Sequence, residues 1–263
     1  PPPAALAGQD QLMRRFGRRA DVALDFEGLS QEDGKDMGAI ARRSSNSWTL
    51  TATGKSGHSS GIFSAKAGDG AIYEIARIIT RFRQDLPEPN LTFNVGLIGG
   101  GQSAEVDKDG GRIAVTGKTN IIPPIAIAKG DFRTLSEEQT KRVQAKMQQI
   151  VEQDHLPGTS ATIAFDLGYP SMAPTPGNRA LLTRLNAVNR DLGLPEMPAL
   201  DPLKRGAGDI AFVAQDVDGL VGLGPASTGD HSPAERVDLA SMKRQAKRAA
   251  ILMSRLAGEK GVK

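Results

Sequence analysis

Cysteine is absent from the 263 residues, and aromatic rings and long apolar runs are scarce. Without cysteine the chain has no disulfide framework, no thiolate metal site and no cysteine nucleophile. The 8 Phe, 2 Tyr and 1 Trp residues are not clustered, which argues against a base-stacking surface. The longest strongly apolar stretch, residues 121–128, is far shorter than the roughly 20 residues of a membrane span.

The charge also argues against a nucleic-acid partner. The chain has 33 Lys and Arg residues against 30 Asp and Glu residues, a net charge of +3. No block of five or six like charges marks a basic arm. The first residues, Pro1 to Ala5, lack the basic region and apolar core of a signal peptide, and we interpret them as a cut within a longer chain. We therefore expect neither a nucleic-acid partner nor a membrane partner.

Residues 45–168 have the pattern of a separate α/β domain. Strand patterns at 48–53, 91–98, 119–132 and 161–167 are interrupted by helical spacing at 71–82 and 136–151. The order strand, helix, strand, strand, helix, strand is the split βαβ (βαββαβ) pattern of a ferredoxin-like domain. Residues 1–44 and 169–263 do not share this pattern. We expect them to form one domain into which the first is inserted.

The flanking segments contain helical and strand patterns of their own. An amphipathic helix ending at Gly17 is followed by an apolar strand at 22–27. Helices are predicted at 178–192 and 239–256, and a loop leading into a helix at 206–215. The last helix carries four basic residues that we interpret as a solvated face: Lys243, Arg244, Lys247 and Arg248.

Three histidines are candidates for chemistry, and they differ in context. His155 stands at a helix end, where a cation is an ordinary stabiliser. His58 lies in a glycine-rich loop, residues 54–61, that could present an imidazole to a partner. His231 follows a short apolar strand, and α/β proteins place ligands in loops at strand ends. Neutral imidazole is also a common zinc ligand.

Three groups of residues have both a structural and a functional interpretation. Asp25 and Glu27 stand at a strand end, either as loop carboxylates or as metal ligands. Glu137 and Glu138 resemble a paired acid site, but they follow Ser136 and we predict a capped helix start. The glycine cluster at 96–101 lacks the Lys-Ser/Thr ending of a phosphate loop, so we predict a hairpin turn there.

Six motifs in order resemble the zinc-dependent metallopeptidases of the glutamate carboxypeptidase and aminoacylase type. They are Leu24-Asp25-Phe26-Glu27-Gly28, Thr53-Gly54-Lys55-Ser56-Gly57-His58-Ser59, Gly117-Lys118-Thr119-Asn120-Ile121-Ile122-Pro123, Gly130-Asp131-Phe132-Arg133, Gly206-Ala207-Gly208-Asp209 and Gly229-Asp230-His231-Ser232. The resemblance runs from about residue 20 to the end of the chain. It implies a catalytic α/β domain that holds two zinc ions and an inserted ferredoxin-like lid that mediates dimerisation.

The resemblance also implies roles for individual residues. Glu27 would ligate one zinc ion and His231 the other. His58 would reach the partner subunit's active site and polarise the substrate carbonyl, a contact that commonly lowers a barrier by a few kcal/mol. Asn120 would be a second donor on the lid. Arg133 would bind the free carboxylate of the substrate through its planar guanidinium.

The glycine motif at Gly206 and Gly208 would lie beside the substrate, although its form Gly-Ala-Gly-Asp departs from the all-glycine pattern. The His-x-Asp ligand motif, the bridging aspartate and the Glu-Glu pair of the family have no counterpart here. A catalytic zinc needs about three protein ligands. We therefore expect zinc binding to be weak or absent in this chain alone, and no hydrolysis by it.

The sequence leaves two functions open. The first is the C-terminal part of a dizinc amidohydrolase or carboxypeptidase. It would cleave N-acyl amino acids or short peptides with a free carboxylate and form a homodimer through the lid. The alternative is a non-catalytic dimerisation module that has kept only its lid for association. The substrate, the metal and the compartment are not determined at this stage.

Overall fold

The computed structural model describes residues 4–230 and 232–259. The helices in this part of the chain are α1 (Ala4–Gly17), α2 (Ala71–Asp85), α3 (Glu137–Glu152), α4 (Pro176–Asp191) and α5 (Leu239–Gly258). The strands are β1 (Ala23–Leu24), β2 (Ser30–Glu32), β3 (Lys35–Met37), β4 (Ser45–Gly54), β5 (Gly57–His58), β6 (Thr92–Gly101), β7 (Ser103–Val106), β8 (Ile113–Thr116), β9 (Ile121–Ile122), β10 (Ile125–Arg133), β11 (Thr159–Tyr169), β12 (Gly219–Leu220), β13 (Ser227–Thr228) and β14 (Arg236–Val237). Short 3-10 turns occupy Ser59–Gly61, Pro202–Lys204 and Asp209–Phe212.

The chain divides into two compact units. One is Ser45–Gly168, and the other is made of the chain up to Ser44 and from Tyr169 onward. We call them the inner unit and the outer unit. The structure is mixed α/β, as the sequence predicts. Each unit has a hydrophobic core of its own.

A four-stranded sheet with the strand order β11-β4-β10-β6 forms the inner unit. The central strand β10 is antiparallel to β4 and to β6. Helices α2 and α3 contribute to the same core as the sheet. Along the chain the long elements follow the order β4, α2, β6, β10, α3, β11, and a hairpin of β7 and β8 is added between β6 and β10.

Side-chain spacing explains this packing. In β4 every second residue is buried, including Trp48 and Leu50, because alternate side chains of a strand face the same side. In α2 the buried residues Ile75, Ile78 and Phe82 recur at helical spacing. The rings of Trp48 and Phe82 meet edge to face with centroids 5.7 Å apart. Strand and helix are therefore joined by a contact between aromatic rings.

Gly99 to Gly101 were predicted as a hairpin turn, and this prediction is wrong. They extend β6, and Gly100 pairs with Ala126 of β10. A Cβ on Gly100 would lie 2.8 Å from the Ala126 Cβ and 2.9 Å from Ile72 Cγ1 of α2. The glycine therefore permits close packing of the helix on the strand, and the hairpin of β7 and β8 comes after it.

The start of α3 follows its predicted cap. The Ser136 hydroxyl accepts a hydrogen bond from the Gln139 backbone N–H at 3.1 Å, and Gln139 Oε1 accepts one from the Leu135 N–H at 2.8 Å. Glu137 and Glu138 occupy the first turn, where carboxylates favour the helix dipole. Their role as a helix start is confirmed.

The outer unit packs α4 and α5 around short strands. Its parallel pair, β1 and β12, aligns Ala23 with Gly219 and Leu24 with Leu220. The strand is shorter in the structure than the one predicted at 22–27. Its pairing ends after Leu24, and Phe26 is 51% exposed. In the described part of this unit no strand exceeds three residues.

The basic face predicted for α5 is partly wrong. The Arg248 side chain is buried, and its Nη1 lies 2.6 Å from Asp36 Oδ2. Arg244 also pairs with Asp36, at 2.9 Å. Asp36 lies more than 200 residues earlier in the chain, so the charge pattern of α5 alone could not indicate these ion pairs. No helix of the described ranges is long and apolar enough to cross a bilayer.

Candidate functional site

His58 lies on a two-stranded ribbon of the inner unit. The ribbon pairs β5 with β9, and His58 stands opposite Ile121. Nδ1 of His58 accepts the Ser60 backbone N–H at 3.2 Å and lies 2.8 Å from the Ser60 hydroxyl. Because Nδ1 is an acceptor, the neutral ring carries its proton on Nε2. The side chain is exposed, so Nε2–H is available to a group outside the unit.

Asn120 stands next to this histidine. Its carbonyl oxygen accepts the Ser59 backbone N–H at 3.0 Å, which ties the two segments together. The Asn120 side chain is exposed like that of His58. The structure therefore brings the two predicted lid donors to the same end of one ribbon.

Arg133 lies elsewhere in the inner unit. It is the last residue of β10, and its Nε is 3.4 Å from Asp131 Oδ2. The ribbon of β5 and β9, which holds His58, comes before Ile125, the first residue of β10. A rise of about 3.3 Å per residue puts the two ends of β10 roughly 26 Å apart. Within one chain, Arg133 and the ribbon of His58 therefore lie at opposite ends of β10.

Glu27 belongs to the outer unit, where parallel strands position it. The Asp25 N–H donates to Leu220 O at 2.9 Å, and the Gly224 N–H donates to Glu27 O at 2.9 Å. Residues 25–27 and 221–224 thus follow the carboxyl ends of β1 and β12. This is the edge of a parallel sheet at which α/β proteins place ligands.

Arg42 joins Glu27 to the predicted glycine motif. Its guanidinium forms an ion pair with Glu27 and lies 3.6 Å from Asp25 Oδ2. Arg42 Nε donates to Gly206 O at 2.8 Å, and its Nη2 donates to the carbonyl that follows. A Cβ on Gly208 would collide with this guanidinium. The structure therefore brings Glu27, Gly206 and Gly208 together around one buried arginine.

A second arginine and a buried carboxylate complete this cluster. Arg205 donates to Gly28 O at 2.7 Å and lies 3.7 Å from Glu27 Oε2. Burial and the neighbouring Arg42 guanidinium lower the pKa of Arg205. Burial, with the nearby Glu27 charge, raises the pKa of Asp25, whereas the hydrogen bond from the Glu27 N–H opposes the shift. We call Asp25, Glu27, Arg42 and Arg205 the arginine–carboxylate cluster.

Arg42 and Arg205 were not among the residues that the sequence motifs indicated. Arg42 follows the buried run Ala39-Ile40-Ala41 in the segment between β3 and β4. An arginine directly behind an apolar run could have signalled a buried ion pair, since a buried charge needs a partner. Nothing in the spacing pointed to the carboxylates that it meets.

The described residues do not fit a zinc centre. Among residues 4–230 and 232–259 there is no group of three or more His, Asp or Glu side chains that could hold a metal ion. The Glu27 carboxylate, the predicted ligand, is bound by Arg42 and faces Arg205. A zinc ion in contact with it would meet two positive guanidinium groups. His231, the other predicted ligand, lies outside the described residues.

Comparison with known proteins agrees with the motifs. A family model described as the peptidase dimerisation domain matches residues 40–159. This range contains His58, Asn120 and Arg133. No curated protein gives a significant match to the chain.

Solved structures of bacterial peptidases share the fold. The aminopeptidase PepT of Bacillus cereus is 17% identical with a TM-score of 0.71, over 97% of this chain and 62% of its own. A tripeptidase of Staphylococcus aureus is 18% identical with a TM-score of 0.66, over 90% of this chain and 57% of its own. The YxeP protein of Bacillus subtilis, described as a dinuclear metal-binding peptidase of the M20 family, is 16% identical with a TM-score of 0.61, over 91% and 57%.

This chain spans less than two thirds of the length of each of these proteins. At such identities the likeness shows the fold. The match to the family model adds the sequence evidence for the inner unit. Residues 40–159 therefore match a peptidase dimerisation domain and the chain has the fold of M20-family peptidases, which confirms the resemblance to that metallopeptidase family recognised from its motifs.

Proposed function

We propose that this chain is the C-terminal part of an amidohydrolase or carboxypeptidase, with residues 45–168 as an inserted ferredoxin-like lid. Residues 1–44 and 169–263 would form part of the catalytic domain. The strand order β11-β4-β10-β6 and the placement of α2 and α3 support a split βαβ lid. The position of Glu27 and of the Gly206–Gly208 loop beyond the ends of β1 and β12 supports the second assignment.

The observation that carries the proposal is the hydrogen bonding of His58, whose Nδ1 accepts the Ser60 N–H and leaves the exposed Nε2 to act as a donor. A neutral imidazole with its proton on exposed Nε2 is a hydrogen-bond donor held in place through Nδ1. Aimed at the oxygen of an amide carbonyl, it would stabilise the negative charge that develops as the carbonyl is attacked. Asn120 offers an amide N–H₂ at the same end of the ribbon. Two neighbouring donors are the minimum of an oxyanion site.

Arg133 would bind the free carboxylate of the substrate. A guanidinium holds a carboxylate through two parallel hydrogen bonds, which favours N-acyl amino acids and short peptides that end in a carboxylate. Because Arg133 and the ribbon of His58 lie at opposite ends of β10, we propose that one substrate is contacted by both residues only when they come from different chains. We therefore propose a homodimer formed through the lid, in which each site uses His58 of one chain and Arg133 of the other.

In the complete enzyme that we propose, zinc would activate the attacking water. The arginine–carboxylate cluster does not fit that role, since Glu27 is held in ion pairs. We therefore derive no catalytic step through a metal here. The chain alone is expected to bind substrate analogues without hydrolysing them.

Binding of N-acyl amino acids tests the proposal without requiring catalysis. Saturation-transfer NMR would compare an N-acyl amino acid with its uncharged C-terminal amide. We expect contact with the acid only, and loss of contact in Arg133→Ala and in His58→Ala. Arg83→Ala, which removes an exposed arginine of the same unit, is the matched control and should bind as the unmodified chain does.

Mixing the two variants tests whether a site is shared. If each site takes His58 from one chain and Arg133 from the other, random mixing of the variants restores about a quarter of the sites. No restoration, with each variant still dimeric, would place both residues in separate sites and refute the shared site.

The alternative, a non-catalytic dimerisation module, also has an observation in its favour. The described residues contain no three-ligand metal group, and the family model covers only the dimerisation domain. A dimer that binds neither the acid nor the amide would support the module. Binding that depends on Arg133 would support the enzyme.

A further inference from the structure

A groove of about 260 Å³ lies between the end of α4 and the first half of α5 in the outer unit. It is lined by Leu192, Leu194, Ala240, Lys243, Arg244 and Lys247, and we call these six residues the basic groove. The four residues from α5 are spaced i, i+3, i+4 and i+7, so they share one face of the helix. The groove shares no residue with the arginine–carboxylate cluster or with the site proposed for His58, Asn120 and Arg133.

The loop after α4 forms the apolar side of the basic groove. Gly193 has a φ of 67°, and its N–H donates to Arg190 O at 3.0 Å. The Leu194 N–H donates to Asn189 O at 2.8 Å, which completes a Schellman motif. In this motif the residue at the position of Leu194 frequently packs against an apolar residue near the helix end. Here Asn189 is polar and accepts a hydrogen bond from Arg248 Nε at 2.6 Å, so Leu194 lines the groove without that contact.

Two lysines of α5 form the charged side of the groove. Within residues 4–230 and 232–259, no carboxylate forms an ion pair with Lys243 or Lys247, and both side chains are exposed. Asp238, just before α5, is the helix cap and accepts the Ala240 N–H at 2.8 Å. The two lysines stand four positions apart on one helix face, so their like charges repel. An anion placed between them would offset that repulsion.

The third cation of the groove adds to its positive charge. Arg244 Nε lies 2.9 Å from Asp36 Oδ2, and Arg244 Nη2 lies 3.1 Å from Asp36 Oδ1. Asp36 also pairs with Arg248 at 2.6 Å, so one carboxylate serves two guanidinium groups. The group therefore retains a positive charge beside the lysines, and the groove attracts anions.

We propose that the basic groove binds a small organic anion with an aliphatic tail, of the medium-chain carboxylate class. The carboxylate lies between Lys243 and Lys247, and the tail follows Leu192 and Leu194. Cations on one wall and apolar side chains on the other favour a ligand that carries both features. A volume of about 260 Å³ is below the roughly 300–1,000 Å³ of sites for drug-sized ligands, so the ligand is small. This inference does not rest on the proposed function.

Calorimetric titration of the full chain with sodium octanoate tests the groove. Octanoate should bind at least about tenfold more tightly than acetate, because each CH₂ removed from water adds to the affinity. Lys243→Gln combined with Lys247→Gln should weaken octanoate binding by about tenfold, since two ion pairs are lost. Arg15→Gln combined with Arg19→Gln is the matched control. It removes two exposed charges of the same unit, also four positions apart, and should change the affinity by less than about threefold.

Lysine acetylation read by mass spectrometry locates the ligand without any substitution. Octanoate should slow the modification of Lys243 and Lys247 and leave the exposed Lys108 of the inner unit unchanged. Far-UV circular dichroism checks that the variants are folded.

Three outcomes would overturn the proposal. One is the absence of octanoate binding at millimolar concentration, and another is equal affinity for octanoate and acetate. The third is binding that is lost in Arg133→Ala but kept in the double lysine variant, which would place the anion in the site proposed for the substrate.

Discussion

The Arg42 guanidinium is ion-paired with the carboxylate of Glu27, the residue to which the family resemblance assigns a zinc ion. The same guanidinium hydrogen-bonds the carbonyl oxygen of Gly206 at 2.8 Å and fills the space that a side chain on Gly208 would need. One buried cation thus connects the carboxylate behind β1 to the glycine loop. We therefore expect the order of both segments to depend on Arg42.

Arg42→Met should destabilise the outer unit. The substitution leaves the buried Asp25 carboxylate without its nearest cation, and breaking a buried pair costs about 3 kcal/mol or more. Hydrogen exchange of peptides covering 25–28 and 204–208 should accelerate as well. Arg255→Met removes an exposed partner of Asp191 and should cost less than about 1 kcal/mol. Equal effects of the two substitutions on urea unfolding would contradict this role for Arg42.

Asp36→Asn should lower the free energy of unfolding by about as much as Arg42→Met. Burial would raise the pKa of Asp36, but hydrogen bonds from Arg244, Gln31 and Arg248 lower it to about 2. Because the Arg248 side chain is almost fully buried, removing the charge of its partner should cost about 3 kcal/mol in the free energy of unfolding. Asp191→Asn, at an exposed pair, is the control. Arg248 also donates hydrogen bonds to Asn189 Oδ1 at 2.6 Å and to Gln245 Oε1 at 2.8 Å. A loss below about 1 kcal/mol for Asp36→Asn would mean that these two acceptors are sufficient partners for Arg248.

Because of Glu74, the stability of the inner unit should decrease at acidic pH. Burial would raise its pKa from the ordinary 4.5, yet hydrogen bonds from Arg77, the Leu156 N–H and His155 lower it to about 2. A carboxylate with a depressed pKa stabilises the fold above its unfolded pKa, and this stability is lost as the pH falls towards 2. Protonation of Glu74 should lower the free energy of unfolding by about 3 kcal/mol.

Urea unfolding at several pH values measures this effect. The single tryptophan, Trp48, lies in the inner unit's core, so its fluorescence reports that unit. Glu74→Gln should be less stable at pH 7 and should lose less stability between pH 5 and pH 2.5. Parallel pH profiles for the variant and the unmodified chain would exclude Glu74 as the responsible group.

Gly130→Ala should destabilise the same sheet. Gly130 pairs with Trp48 across β10 and β4, and a Cβ there would collide with the Trp48 ring and with Asn94 O. Overpacking of this kind costs about 1–3 kcal/mol. Gly111→Ala, where a Cβ would meet nothing within 4 Å, should change stability by less than about 0.5 kcal/mol. If Gly130→Ala left the free energy of unfolding unchanged, the strand would have to shift to accommodate the added methyl group without loss of stability.

Local patterns were sufficient for elements whose reasons are local. The spacing of Ile75, Ile78 and Phe82 predicted the buried face of α2, since one helix repeat decides which side chains align. Ser136 with Gln139 predicted the start of α3, because a cap needs only neighbouring residues. The glycines of β6 were misjudged because their partner, Ile72, acts from another element.

The candidate site also contains both residues that the sequence identified and residues that it did not. His58 and Asn120 were identified by the family resemblance of two separate motifs, but these motifs lie more than 60 positions apart in the chain, and only the tertiary structure brings them together across the ribbon of β5 and β9. Arg205 and Arg42 were missed, since each ion pair joins positions that no spacing relates.

The sequence by itself determined the α/β class, the buried face of α2 and the resemblance to the peptidase family, because these depend on periodicity and on short motifs. Only the tertiary structure decided which carboxylate meets which guanidinium, and which strand is left at the edge. Those outcomes depend on where distant segments meet in space, and a contact between residues some 200 positions apart leaves no periodic trace in the chain.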